Sequence, residues 1–184
     1  KFGHQLIVWN RTASKSQMLE REGAAVAASP QEVAQRAEVV LVMVTDSTDV
    51  EEVVLGPHGV RSGVKPGSIV VDMSTISPAV TRKIAEALNE RRVGMLDAPV
   101  SGGVWGAQSG TLSIMVGGPK GLFDRCLPLF EALGQRITYC GETGMGQITK
   151  LVNQIIVAGT LAATSEGLVF AARAGAAERA RRPN

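Results

Sequence analysis

Short apolar runs alternate with longer amphipathic ones along the whole chain. Residues 5–9 (QLIVW) have the β-branched, bounded character of a strand. Residues 14–22 follow with helical spacing and meet Gly23, the residue type that most readily ends a helix in the left-handed conformation. A short run over 25–28 precedes Ser29-Pro30-Gln31-Glu32. There Ser is an N-cap, Pro occupies the first helical position and Glu completes a capping box. Residues 38–44 (EVVLVMV) are apolar after the first, as in a parallel strand buried on both faces. Residues 47–55 predict a short helix, 68–72 a second buried strand, and Ser77-Pro78 opens a helix to about Arg92. Residues 95–98, 111–116 and 136–140 predict three more strands, with a helix over 120–133 between the last two. From about Gly146 to Ala174 the pattern is one long helix without a proline. Strand and helix alternating this often predict an α/β fold, a doubly wound parallel sheet with right-handed crossovers.

A dinucleotide-binding fold of this kind opens with a strand, then G-x-G-x-x-G, then a helix facing the pyrophosphate. No glycines here have that spacing. Instead the first strand runs into Asn10-Arg11-Thr12, which looks like the end of a second Rossmann strand. An acidic residue at that place binds the ribose 2′-hydroxyl of NAD, and an arginine accommodates the 2′-phosphate of NADP. Arg11 can pair with a phosphate through two parallel hydrogen bonds; the plainer alternative is a solvated turn residue.

Composition narrows the class. The 184 residues suit about one domain, and 45% hydrophobic with 20% charged positions exclude a disordered or collagenous chain. Two cysteines cannot form a disulfide framework, so a reducing compartment, the cytoplasm, is expected. The net charge of +2 is local: residues 173–184 carry four arginines against one glutamate, leaving the body near neutral. A nucleic-acid-binding face needs a basic patch on the body, so no nucleic-acid partner is expected. The most apolar stretch, Leu151 to Ser165, contains Asn153 and Gln154 and meets Glu166. It falls short of the roughly 20 apolar residues of a membrane span, and no membrane partner is expected. His4 and His58 lack neighbours at metal-ligand spacing, and a nucleotide-hydrolysing P-loop is absent.

Three stretches carry a family likeness: Asp97-Ala98-Pro99-Val100-Ser101-Gly102-Gly103, residues 110–118 (GTLSIMVGG) and residues 144–154 (GMGQITKLVNQ). With residues 72–78 (DMSTISP) and the N-R-T of 10–12, they resemble the β-hydroxyacid dehydrogenase family from residue 1 to about 175. That family includes 3-hydroxyisobutyrate dehydrogenase, tartronate semialdehyde reductase, glyoxylate and succinic semialdehyde reductases, and 6-phosphogluconate dehydrogenase. The likeness implies a Rossmann-type sheet lacking its first strand and glycine loop, in an N-terminally incomplete NADP-binding domain over 1–143. Residues 144–184 would then hold the start of a long interdomain helix and the stub of an all-helical domain. The absent strand would lie between 5–9 and 39–44, so those two should not pair with each other. Residues 178–184 (ERARRPN) do not resemble the family's continuation.

The chemistry centres on Lys150, with Asn153 and Gln154 at i+3 and i+4 on the same helical face. A lysine of lowered pKa can take a proton from a hydroxyl or return one to a carbonyl oxygen; alternatively it snorkels from an apolar helix. The resemblance implies the acid/base role for Lys150, with an amide partner at one of the two next-turn positions. It also implies that Ser101, Gly102 and Gly103 grip a substrate carboxylate, their N–H groups forming an anion nest. Asn10, Arg11, Thr12, Thr75, and Thr45 with Asp46 would line the cofactor, NADP with NAD possible; the family often has Pro-Asn where Thr45-Asp46 stand. The expectation is therefore hydride transfer between NADP(H) and a small β-hydroxyacid or semialdehyde, in a homo-oligomer. Two alternatives stand beside it. One is a catalytically idle fragment or interaction module. The other, 6-phosphogluconate dehydrogenase, ranks low because the Ser101–Gly110 loop has no basic residue for a phosphate.

Overall fold

The computed structural model describes residues 3–176, so the tail expected to be atypical lies outside the described residues. The chain divides into two compact units, Lys1–Lys150 and Leu151–Asn184. In the first, β1 (Ile7–Val8), α1 (Ala13–Arg21), β2 (Ala25–Val26), α2 (Pro30–Arg36), β3 (Val39–Val42) and α3 (Ser47–Leu55) follow in order. A short α4 (Val60–Gly63), β4 (Ile69–Asp72), α5 (Pro78–Asn89), β5 (Gly94–Asp97) and β6 (Val100–Ser101) come next. Then come α6 (Gly103–Ser109), β7 (Leu112–Gly117), α7 (Lys120–Leu133), β8 (Gly134–Gly141) and α8 (Met145–Arg173), whose larger part forms the second unit.

Local signals decide several boundaries. The Ser29 hydroxyl accepts the Glu32 N–H at 3.1 Å, while the Glu32 carboxylate reaches back to the Ala28 N–H at 2.8 Å, one residue earlier than a standard capping box. Burial then alternates as a two-faced sheet requires. Val40, Val42, Val70 and Met95 pack with α2, α3 and α5 residues Ala34, Val50, Val54, Ile84 and Leu88 on one side. Ile69, Val71, Leu96, Ile114 and Val116 pack with α7 residues Phe123, Cys126 and Phe130 on the other. β4 is buried on both faces as its apolar run predicts, but β3 is not. Leu41 and Met43 are exposed, because no described element of this unit covers that side of β3.

The sheet differs from the all-parallel prediction. β3, β4 and β5 run parallel, but β7 runs antiparallel to β5 and β6, with β8 parallel to β7 on its other edge. β5 and β6 are in effect one strand, interrupted at Pro99 and held in constant register against β7 from Asp97↔Gly117 to Ser101↔Ser113. The link from β6 to β7 is only residues 102–111, containing the short α6. A parallel return needs a crossover of a dozen or more residues, so the chain turns back instead. The expected Ser101–Gly110 loop is thus mostly helix, and Trp105 on it is exposed. β1 pairs only with β2 in a separate two-stranded sheet, and β3 is the edge of the larger one. The two strands do not pair with each other, as expected.

The second unit is helical. Its exposed Leu151, Ile155, Ile156, Leu161, Leu168 and Phe170 make α8 long and apolar enough to cross a membrane by length and composition. This corrects the expectation that its apolar stretch falls short.

Candidate active site

β4 and β5 each end in a buried carboxylate at the carboxyl edge of the sheet. β5 ends in Asp97, whose backbone and side chain are fully buried. Its carboxylate accepts the Gly144 N–H at 2.7 Å and the Gln147 N–H at 2.9 Å. These are orphan donors at the start of α8, so a carboxylate placed there suits both the hydrogen bonds and the helix dipole. The helix start lies directly on the sheet. A Cβ at Gly146 would sit 2.5 Å from the carbonyl oxygens of Asp97 and Met115, and one at Gly117 2.6 Å from the Gly146 nitrogen. Only glycine permits that approach.

Gln147 is fully buried and spends both ends of its amide on the loop after β4. Its Nε2 donates to the Ser74 carbonyl at 2.8 Å, and its Oε1 accepts the Ile76 N–H at 3.1 Å. Three residues further along α8 stands Lys150, only 7% exposed. None of the ion pairs among the described residues involves it. Burial holds its amine below the ordinary lysine range. Asn153 and Gln154 follow on α8, half-buried and exposed, with Asn153 donating to Gln154 at 3.2 Å.

A second buried carboxylate, Asp72, stands beside Asp97 in the β4–β5 register. Its Oδ1 accepts the Ser74 N–H at 3.0 Å, and its Oδ2 has no partner. Burial pushes Asp72 up to about 6, outweighing the Ser74 hydrogen bonds, with the Asp97 charge adding to the rise. Burial raises Asp97 as well, against the N–H donors of Gly144 and Gln147. The Ser74 hydroxyl accepts the Val44 N–H at 3.0 Å and so ties the end of β3 to the end of β4.

That tie aligns the segments expected to line a cofactor. Thr45, Asp46 and Thr75 are exposed beyond β3 and β4. Asp46 already has a structural task, since its carboxylate accepts the Asp49 N–H at 2.9 Å and caps α3. Beyond β1, the Asn10 side chain accepts the Thr12 N–H at 2.8 Å, and Arg11 reaches Asp49 at 3.2 Å with 78% of its side chain exposed. No carboxylate occupies residues 10–12. This donor set fits the ribose end of a nicotinamide dinucleotide, while a pyrophosphate-cradling glycine loop is not among these residues. Ser101, half-buried on β6, pairs with Ser113 of β7, whose Met115 carbonyl abuts Gly146. Gly102 and Gly103 both have positive φ, and a Cβ on Gly102 would crowd Leu112 at 3.2 Å.

Comparison with known proteins decides the family. Residues 1–141 match the NAD binding domain of 6-phosphogluconate dehydrogenase, and residues 144–181 match the NAD-binding of NADP-dependent 3-hydroxyisobutyrate dehydrogenase. The chain belongs to the β-hydroxyacid dehydrogenase family. It is similar to 2-hydroxy-3-oxopropionate reductase of Escherichia coli, 45% identical over 95% of this chain and 59% of the relative. NAD-dependent L-serine dehydrogenase of Pseudomonas aeruginosa is 39% identical over 92% of this chain and 57% of its own length. The solved structure of Mycobacterium tuberculosis 3-hydroxyisobutyrate dehydrogenase with L-serine superposes with a TM-score of 0.89 at 31% identity, over 96% of this chain and 60% of that one. The chain therefore spans about 60% of the length of these relatives. For a β-hydroxyacid dehydrogenase, α8 is part of the matched region.

Sequence reasoning named Lys150 but not the residues that hold its helix in place. Asp97 and Gln147 stood inside the quoted motifs, and the signal available was a charged residue ending a buried strand.

Proposed function

We propose that the enzyme containing this chain transfers hydride between NADP(H), with NAD as the less favoured form, and a small β-hydroxyacid or its semialdehyde. Lys150 carries the reading: a buried amine without an ion-pair partner among the described residues, depressed by desolvation toward the range where it can exchange a proton. The nicotinamide, when bound, supplies or accepts the hydride. In oxidation the Lys150 Nζ takes the proton from the substrate hydroxyl; in reduction it returns one to the carbonyl oxygen. The Ser101 hydroxyl and the N–H groups of Gly102 and Gly103 bind the substrate carboxylate. The amide of Asn153 or of Gln154, at the two next-turn positions beyond Lys150, hydrogen-bonds the same substrate. Arg11 holds the 2′-phosphate within the turn set by Asn10 and Thr12, and Thr45, Asp46 and Thr75 line the cofactor.

The names of the relatives sharpen the substrate class. 2-Hydroxy-3-oxopropionate, 3-hydroxyisobutyrate and L-serine all share a propanoate backbone with oxygen on C3 and one substituent on C2. A 6-phosphogluconate substrate is disfavoured, because α6 and its flanks over 101–110 carry no lysine or arginine. Two free cysteines agree with a cytoplasmic enzyme, and the exposed apolar side of α8 agrees with a homo-oligomer.

The test is to mix the purified whole enzyme with NADPH or NADH and a panel of 2-substituted 3-oxopropionates, and with NADP and the matching hydroxyacids, following nicotinamide absorbance. Turnover with NADPH preferred is the expected result. Failure to bind either nucleotide or to turn over any member would leave the idle-module reading in its place.

A further inference from the structure

We propose that Gln147 is a positioning residue that locks the Lys150 helix to the loop carrying Thr75. This rests on Lys150 being the proton-transfer group. Three bonds from one residue join three elements: its N–H to the Asp97 carboxylate at the end of β5, its Nε2 to the Ser74 carbonyl, and its Oε1 from the Ile76 N–H. The residues on both sides of Thr75 are thereby tied to one side chain, and Lys150 lies three positions along the same helix from it.

Packing alone does not call for an amide here. A leucine or methionine would fill a fully buried site without the desolvation cost of a polar group, whereas an amide is favourable only when donor and acceptor are both used. Both are used, and both on backbone groups, so the bonds specify distance and direction and not merely volume. An asparagine is shorter by a methylene and spans neither. A glutamate has the length but, when ionised, cannot donate to Ser74. What the amide fixes is the spacing between a loop expected at the cofactor and the lysine expected at the substrate. A misplacement of about 1 Å between such groups is enough to cost about 100-fold in rate.

The experiment uses the whole enzyme as wild type, Gln147→Leu, Gln147→Glu and the core control Ile84→Val. Two readouts are taken: steady-state kinetics, and the pH dependence of Lys150 acetylation by acetic anhydride without nucleotide, read by mass spectrometry. Exposed Lys83 serves as the internal reference for reagent chemistry. Gln147→Leu is expected to lower kcat about 10- to 100-fold with KM changed less than about threefold. It should also move the Lys150 labelling midpoint up by about one pH unit, as water reaches the amine. Gln147→Glu regains a donor when protonated, so its kcat relative to wild type rises as pH falls. Ile84→Val lowers Tm and changes neither readout. Gln147→Leu that lowers Tm but leaves both kcat and the Lys150 midpoint at wild-type values overturns the proposal. Should that variant not fold, Gln147→Glu carries the same comparison. A wild type with no turnover refutes the proposed reaction, while the labelling shift still decides the role of Gln147.

Discussion

Two buried ionisable groups give opposite signs of behaviour at the residue scale. Lys150 is depressed by burial, which favours the neutral amine that can accept a proton. Lys150→Met keeps the length and apolar stem while removing the amine, and kcat is expected to fall about 10²- to 10⁴-fold. Nucleotide affinity, measured by fluorescence titration, should stay within about twofold if the lysine acts on substrate alone. Asp72 is raised from 3.8 to about 6. The folded state then holds the proton more tightly than the unfolded chain, so the associated stability is full at low pH. It is lost as pH rises through about 4 to 6. Urea unfolding of Asp72→Asn against wild type should show the variant gaining on the order of 2–3 kcal/mol relative to wild type across that window. At the opposite end of the site, Arg11→Ala is expected to raise KM for NADPH about tenfold or more, since a bond to a charged group is worth about 1.5–3 kcal/mol. KM for NADH should hardly move.

For the elements, the decisive feature is how α8 is seated. Gly146→Ala would drive a methyl against two carbonyl oxygens, each at 2.5 Å from the added Cβ. Overpacking of this kind costs about 1–3 kcal/mol, so a Tm several degrees lower and reduced kcat are expected together, by calorimetry and kinetics. This seating also shows what a linear pattern can and cannot carry. The bounds of α3 and α7 were legible because their apolar spacing is local to each helix. Ser29-Pro30 gave the start of α2 because its capping signal is equally local. The cap on α8 was not legible, because Asp97 lies 47 residues before Gly144 and no local rule couples them. Gln147 reads as a surface position on polarity alone; only the partners on the β4–α5 loop make its burial affordable. Strand direction is likewise silent in an apolar run. β7 has the composition expected of a parallel strand, and the shortness of residues 102–111 reverses it. Lys150 and Ser101 could be singled out because the family resemblance marks their positions, and Arg11 because a guanidinium follows the first strand where a dinucleotide ribose is read.

On the scale of the whole molecule, the exposed apolar side of α8 predicts self-association of the chain by itself. Light scattering after size exclusion should give more than one chain mass, and Phe170→Glu with Ile155→Glu should shift it toward the monomer. The separation of the β1–β2 ribbon from the six-stranded sheet has another outcome. Two residue pairs hold that ribbon, Ile7↔Ala25 and Val8↔Val26, whereas β4 is bonded along its whole length on both edges. Free energies of local opening follow such differences. Amide hydrogen exchange should therefore be rapid over residues 7–27 and slow over 69–72 and 94–97. On the proposed role of Arg11, binding NADPH to this chain by itself would first have to quench that opening. A slower exchange of 7–27 with nucleotide, absent in Arg11→Ala, would register that ordering directly.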